Sequence, residues 1–436
     1  MRRAFATLFA VVVVLVLAAP ASAAQLAGVQ THLLWSDVDD REMQRQLDLV
    51  KQSGASLMRV DVGWASLQED GPSAWSSWYL GRLDRMVAAA DARGIELLLT
   101  FMNTPCWAST APAALKQGCE GAWWDRGVTA YPPADAGDYA RALAFLVRRY
   151  GSRVLAWEVW NEPNFAEFWK SPDPAAAYAR LLKAAYPAAK AAHPGAQIIG
   201  GSLSQSDHAF TRRLYELGAR GSFDAFSVHP YSDDVSPLDP RAGVDARYSF
   251  VRGVQKVREV MLAFGDRSPV WLTESGWSTG TIRTSDGWRN GVSEAQQALF
   301  MRQQAEQVAR WPWVRANVWF RLLDMGSDRA DKWSNCGLVR ANGTAKPAWA
   351  AFRDAAARLR AGPQAAAGPT PPAASPAPKA KTAKKRAAKK RRAAKRRAAR
   401  ARAAKRRAAR AHAATRAAKR RERAADRRRA GYHRPA

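Results

Sequence analysis

Val154-Leu155-Ala156-Trp157-Glu158-Val159-Trp160-Asn161-Glu162-Pro163-Asn164 is the stretch from which the fold is read. It is rich in Val, Leu and Trp and lacks a regular polar alternation, as expected of a parallel strand buried on both faces. It stops at a glutamate followed by proline. A second stretch, Pro269-Val270-Trp271-Leu272-Thr273-Glu274-Ser275-Gly276-Trp277, repeats the design: an apolar run, a glutamate at its end, tryptophan close by.

To either side, short apolar runs alternate with longer segments of helical period. The runs are 26–32, 57–62, 95–101, 154–161, 197–201, 223–228, 269–273 and 316–320. The helical segments are 40–52, 80–93, 136–150, 175–192, 208–217, 248–264, 294–311 and 347–359. Eight such alternations predict an α/β fold, a (β/α)8 TIM barrel over residues 24–361. An open, doubly wound sheet is the structural alternative, but no glycine-rich dinucleotide fingerprint follows the first run.

The ends of the chain read differently. Residues 1–23 combine Arg2 and Arg3, an apolar run and Ala21-Ser22-Ala23, the three parts of a secretory signal peptide. Residues 362–378 form a Pro/Ala-rich linker, and residues 379–436 a Lys/Arg/Ala-rich tail. The net charge of +30 is concentrated there: from residue 371 onward, 27 Lys and Arg face only Glu422 and Asp426. A helix in this segment would be basic all round and could bury no face, so the tail is read as disordered until it meets a polyanion. The expected partner is an anionic surface: wall polymer, acidic polysaccharide or extracellular DNA. No aromatic interrupts the basic run before Tyr432, so the tail offers charge without a base-stacking platform. The expected location is secreted, extracellular or wall-associated, and the expected state a monomer with no transmembrane segment once the signal is removed.

Three cysteines are present. Cys106 and Cys119 share one loop, and export permits a disulfide between them; Cys336 is left over. No cysteine or histidine set has metal-ligand spacing, so neither metal nor cofactor is expected.

In a barrel, residues at the carboxyl ends of the strands converge on one face, where active sites form. Glu162 and Glu274 would meet there. A pair of carboxylates across a sugar linkage is the machinery of glycoside hydrolysis, one as proton donor and one as nucleophile. Trp157-Glu158-Val159-Trp160-Asn161-Glu162-Pro163-Asn164 with Phe168-Trp169 resembles the acid/base motif of clan A glycoside hydrolases, most similar to family 39 and to the family 5-like enzymes of cellulase type. The similarity extends through Thr104-Pro105-Cys106-Trp107-Ala108 and Ser227-Val228-His229-Pro230-Tyr231. The resemblance implies that Glu162 is the acid/base and Glu274 the nucleophile of an O-glycosyl hydrolase. It further implies that Asn161 bonds a sugar hydroxyl, that Arg59 at the end of the second strand keeps Glu274 ionised, and that His229 and Tyr231 line the site. His32, Trp277 and Trp319 complete the expected substrate-binding set, Trp319 as the aromatic floor beneath the cleaved sugar. Trp35, Trp64, Trp75, Trp78, Trp107, Trp123, Trp124, Trp169, Trp288 and Trp333 also fall in or beside strand-end loops, which predicts an aromatic groove for sugar rings. The alternatives are an exo-acting β-xylosidase- or β-glucosidase-like enzyme, and a non-catalytic barrel that binds a cell wall or polyanion.

Overall fold

The computed structural model describes residues 24–284, 290–326 and 328–362. The signal peptide, the tail, Trp288 and all of the linker but Gly362 lie outside the described residues. Eight parallel strands close into a barrel in sequence order. They are β1 (Leu26–Thr31), β2 (Leu57–Gly63), β3 (Glu96–Met102), β4 (Ala156–Val159), β5 (Gln197–Ser204), β6 (Ala225–His229), β7 (Val270–Ser275) and β8 (Val314–Trp319). The chain is a (β/α)8 barrel.

Eight main helices surround it: Asp40–Ser53, Ser77–Asp91, Ala136–Tyr150, Pro174–Ala192, His208–Glu216, Phe250–Ala263, Glu294–Ala309 and Pro347–Arg360. Seven start on a side-chain cap, from Asp39, Ser76, Asp135, Asp173, Asp207, Ser249 and Ser293. Each cap satisfies a backbone N–H that the helix cannot, a contribution of about 1 kcal/mol. The last helix instead opens with Pro347, whose missing N–H costs nothing in the first turn. Among the described residues, no helix is long and apolar enough to cross a membrane.

The inside of the barrel has two layers. Leu57, Leu98, Ala156, Ile199, Ala225, Trp271, Ala316 and Val318 fill it with an apolar plug. Toward the carboxyl ends of the strands, the next inward positions are polar and buried: Gln30, Arg59, Thr100, Glu158 and Ser227. Side chains alternate along a strand, so Leu57 and Arg59 of β2, like Ala156 and Glu158 of β4, lie one above the other. The apolar plug fixes the floor on which the polar layer stands.

Two strands depart from the sequence expectation. β4 ends at Val159, because Trp160 takes a left-handed conformation (φ 68°). β5 runs on to Ser204 through an irregularity between Gly200 and Leu203. After β3, a long loop carries the Cys106–Cys119 disulfide, while Cys336 is free and buried. Arg126 ties this loop by donating to the carbonyls of Leu115, Lys116 and Glu120.

Candidate active site

Arg59 stands at the centre of the polar layer. It lies within β2 rather than at its end, and it is completely buried. Its Nε donates to Glu158 Oε2 at 2.8 Å, and its Nη1 to Glu274 Oε1 at 2.7 Å and Gln30 Oε1 at 2.9 Å. Its Nη2 donates to Asn161 Oδ1 at 2.8 Å. This corrects its expected place among substrate-binding residues: it is completely buried, and each of its three nitrogens already donates to protein. Burial opposes the charge on Arg59, but Glu158, Glu274 and Asp61 outweigh it and raise its pKa. Burial likewise works against the Glu158 carboxylate. Arg59, His229 and Ser227 prevail, and its pKa falls below the ordinary value. Thr100 Oγ1 and Ser227 Oγ donate to Glu158 at 2.8 and 2.7 Å, which completes its bonding as a structural anion.

The turn after β4 presents the next two groups. Trp160 and Glu162 both have positive φ (68° and 45°), sparsely populated for residues with a side chain. Backbone bonds hold them there: Trp160 N–H donates to Phe101 O and Glu162 N–H to Ser202 O. Because a guanidinium only donates, the side-chain oxygen of Asn161 faces Arg59 and its amide NH2 is left for the cavity.

Four groups then meet at the mouth of the barrel. His229 Nδ1 lies 3.0 Å from Glu162 Oε1 and 3.6 Å from Glu274 Oε2. Its Nε2 is 3.1 Å from Ser202 Oγ. With the serine hydroxyl donating to Nε2, Nδ1 carries hydrogen and donates to Glu162. Burial would lower the pKa of His229, but the Glu274 and Glu162 carboxylates raise it. Tyr231 Oη donates to Glu274 Oε2 at 2.8 Å; burial and that carboxylate push the phenol's pKa well up, so it stays a donor. An oxygen of Glu162, an oxygen of Glu274 and a nitrogen of His229 all lie within 4.8 Å of one another. That trio has ligand atoms for a metal, yet Arg59 already sets a full positive charge 2.7 Å from Glu274. The arrangement suits two carboxylates sharing a proton task better than it suits a cation.

The carboxylates open into a cavity of about 290 Å³. His32, Asp61, Met102, Asn161 and Ser204 give it polar and soft edges, and Trp35, Phe165, Phe168, Phe320 and Trp333 give it aromatic walls. His32 stacks on Trp35 at 4.3 Å and stands 3.5 Å from Asp61. Burial lowers the pKa of His32 against the pull of Asp61. Burial would raise that of Asp61, but His32 and Arg59 bring it down to about 2.

Trp319 and Trp277 are not part of this lining. Trp319 is 1% exposed, donates through Nε1 to Cys336 O, and packs against Trp277 at 5.7 Å. Trp277 is buried as well and donates to Val235 O. Phe320, one residue later, faces the cavity where Trp319 was expected. The broad tryptophan groove contracts similarly. Trp64, Trp123 and Trp169 are buried in packing, Trp75 stacks on Phe145, and Trp107 is tied to Gln68 O. Among the described tryptophans, only Trp35 and Trp333 line the cavity that holds the carboxylates. Asp61, Phe165, Phe320 and Arg321 also line it beyond the sequence expectation, as does Phe168, which that expectation named only as part of the acid/base motif.

Residues 17–317 match the cellulase family, glycosyl hydrolase family 5. The chain belongs to that family. The chain is 28% identical over 190 residues to a beta-xylosidase of Geobacillus stearothermophilus, covering 41% of this chain but 36% of that protein. The chain spans little more than a third of the length of the curated relative it matches. Among solved structures, a family 39 glycoside hydrolase from Bacteroides cellulosilyticus WH2 superposes with a TM-score of 0.62 at 21% identity, over 78% of this chain and 64% of that one. A GH5_18 protein of Bifidobacterium longum subsp. infantis does so with a TM-score of 0.56 at 19% identity, over 79% and 81%. At such identities these structures speak to the shared barrel.

In this family 5 member, the cavity holds two carboxylates in different surroundings. One carboxylate, Glu274, receives two donors on different oxygens and is oriented by them. The other, Glu162, has one oxygen engaged by His229. Its second oxygen can face a glycosidic oxygen in the cavity.

Proposed function

We propose that the enzyme is a secreted retaining glycosidase that cleaves O-glycosidic bonds of a polysaccharide or oligosaccharide by double displacement. Glu274 is the nucleophile and Glu162 the acid/base. The approach of their oxygens to within 4.8 Å carries this reading. A retaining pair stands about 5–5.5 Å apart so that a carboxylate can reach the anomeric carbon, whereas an inverting pair leaves about 6.5–9.5 Å for a water.

The residues divide the work accordingly. Glu274 attacks the anomeric carbon as Glu162 protonates the departing oxygen. Glu162, now a carboxylate, takes a proton from water, which attacks the glycosyl-enzyme and restores Glu274. Arg59 keeps Glu274 charged before attack, and Tyr231 fixes its plane. The free amide of Asn161 is placed to bond a sugar hydroxyl close to the cleaved bond.

A compact cavity walled by Trp35, Phe165, Phe168 and Trp333 favours a second, narrower reading: exo-acting removal of terminal sugars. The names of two similar proteins, a beta-xylosidase and an exo-beta-1,4-mannosidase, point the same way. The basic tail supports a further element, attachment of the exported monomer to an anionic surface. Hydrolysis of a polysaccharide panel, with product anomers followed by NMR and Glu162→Gln as control, tests the proposal. Retained configuration is expected. Inverted product from the unaltered enzyme would overturn double displacement, and full activity in Glu162→Gln would overturn the acid/base role.

A further inference from the structure

Arg321 is the second residue after β8 and is 3% exposed. Its backbone is fastened to the 336–338 segment, with Arg321 N–H donating to Cys336 O and Arg321 O accepting from Leu338 N–H. Its guanidinium lies against two rings, 5.6 Å from the Trp35 centroid and 5.1 Å from that of Phe320. It lines both the catalytic cavity and an adjoining cavity of about 310 Å³. Yet among the described residues its side chain makes no hydrogen bond and no ion pair.

That is unusual for a buried cation, because an ion removed from water without a partner is costly. Arg59 shows the ordinary solution in the same molecule, with a protein acceptor for each arm of its fork. The acids near Arg321 are engaged elsewhere. Asp61 is bound to Gln30 and neighbours Arg59 and His32, and Glu274 is bound to Arg59 and Tyr231. Asp324 is held by Lys346 and by Gly337 N–H. Burial lowers the pKa of Arg321, and the surrounding acids do not restore it. The aromatic faces position the guanidinium but leave its N–H groups without acceptors. A planar fork held open beside a glycan-cleaving pair is matched by a planar carboxylate.

We propose that the substrate carries a carboxylate received by Arg321, so that the sugar at or next to the cleavage position is a uronic acid. This rests on the reading that the cavity is where the glycan is cleaved. The tail is consistent with it independently, since the same acidic polysaccharide would satisfy its Lys and Arg residues.

The test uses the full chain and short oligosaccharides built on glucuronate, galacturonate, mannuronate, guluronate and iduronate. Each is paired with its carboxyl-reduced counterpart. Binding is measured by calorimetry and cleavage by reducing-sugar release, for the natural protein, Arg321→Gln and Arg321→Lys. At least one acid should bind about tenfold or more tightly than its reduced partner, the scale of a charge-assisted hydrogen bond. Arg321→Gln should lose that preference, falling further on the acid than on the reduced form, and Arg321→Lys should keep part of it. The tail is common to all three proteins, so its attraction for acids cancels in the comparison. The inference is overturned if the natural protein prefers no acid, or if Arg321→Gln weakens both forms by the same factor, as hydroxyl binding or loop packing would require. An acid bound with preference but never cleaved upholds Arg321 and overturns the glycosidase reading of the carboxylates. Neutral sugars cleaved with no acidic preference do the reverse.

Discussion

Arg59 joins two acids that have different tasks: Glu158, sealed in the barrel, and Glu274, open to the cavity. Replacing Arg59 by Met leaves Glu158 buried beside no cation, a change expected to cost about 3–5 kcal/mol. The pH dependence should change sign. In the natural protein Glu158 has a depressed pKa, so its contribution is present above the unfolded value of about 4.3 and is lost as pH falls through the folded one. Without Arg59, burial raises that pKa, and stability is lost as pH rises. Urea midpoints of Arg59→Met should therefore fall between pH 5 and pH 8; a midpoint that stays level would show that Glu158 needs no counter-charge. With Glu274 as the proposed nucleophile, Glu274→Gln should lower kcat by about a thousandfold or more, because the amide cannot attack, while its one oxygen can still accept from Arg59 and its NH2 can donate to the Tyr231 hydroxyl. In Glu274→Gly, azide should restore turnover with inverted product, since a small anion can occupy the vacated space. NMR of the glycosyl azide distinguishes this from a general salt effect.

At the scale of elements, β5 carries more than its share. The irregularity between Gly200 and Leu203 places Ser202 where its carbonyl accepts from Glu162 N–H and its hydroxyl meets His229. Gly201 makes this possible: its φ is +107°, and a Cβ there would lie 2.3 Å from Ser227 O. Gly201→Ala should cost about 2 kcal/mol or more and lower kcat by moving the acid, with urea unfolding and kinetics as the two measurements. The Cys106–Cys119 bond closes a short loop after β3, worth about 3 kcal/mol on the chain-entropy view. Thiol titration of unfolded, unreduced protein should find Cys336 alone; three reactive thiols would mean the bond is absent in the isolated protein. The elements also show where sequence reading succeeds. All eight strands and helices are legible from period and length, and the short strand-end motifs anticipate that Glu162, Glu274, His229 and Tyr231 meet at one mouth of the barrel. Trp319 was misplaced by a single position, and with alternating sides one step separates the cavity wall from the packing behind it. Phe165 and Arg321 come from loops, whose paths across the mouth obey no period and so leave no pattern to read.

For the whole molecule, the charge division yields the broadest prediction. A chain ending near Ala361 should keep its turnover on a small soluble substrate and lose salt-sensitive retention on anionic matrices, because each phosphate or carboxylate neutralised by the tail releases a counterion. Equal elution of the shortened and full chains would refute attachment by the tail, and loss of turnover would mean that the barrel needs residues beyond Ala361. The two layers inside the barrel bear on how such an enzyme could be redesigned. Gln30, Arg59, Asn161, Glu158 and Glu274 form one bonded set, so variation there should survive only in coordinated combinations. Phe165, Phe168, Phe320, Arg321 and Met325 stand above that set on connecting segments, and each can be altered without disturbing the bonds below. A mutant library confined to this upper rim should thus return many folded enzymes with new preferences, whereas an equally large library in the lower ring should return mostly inactive protein.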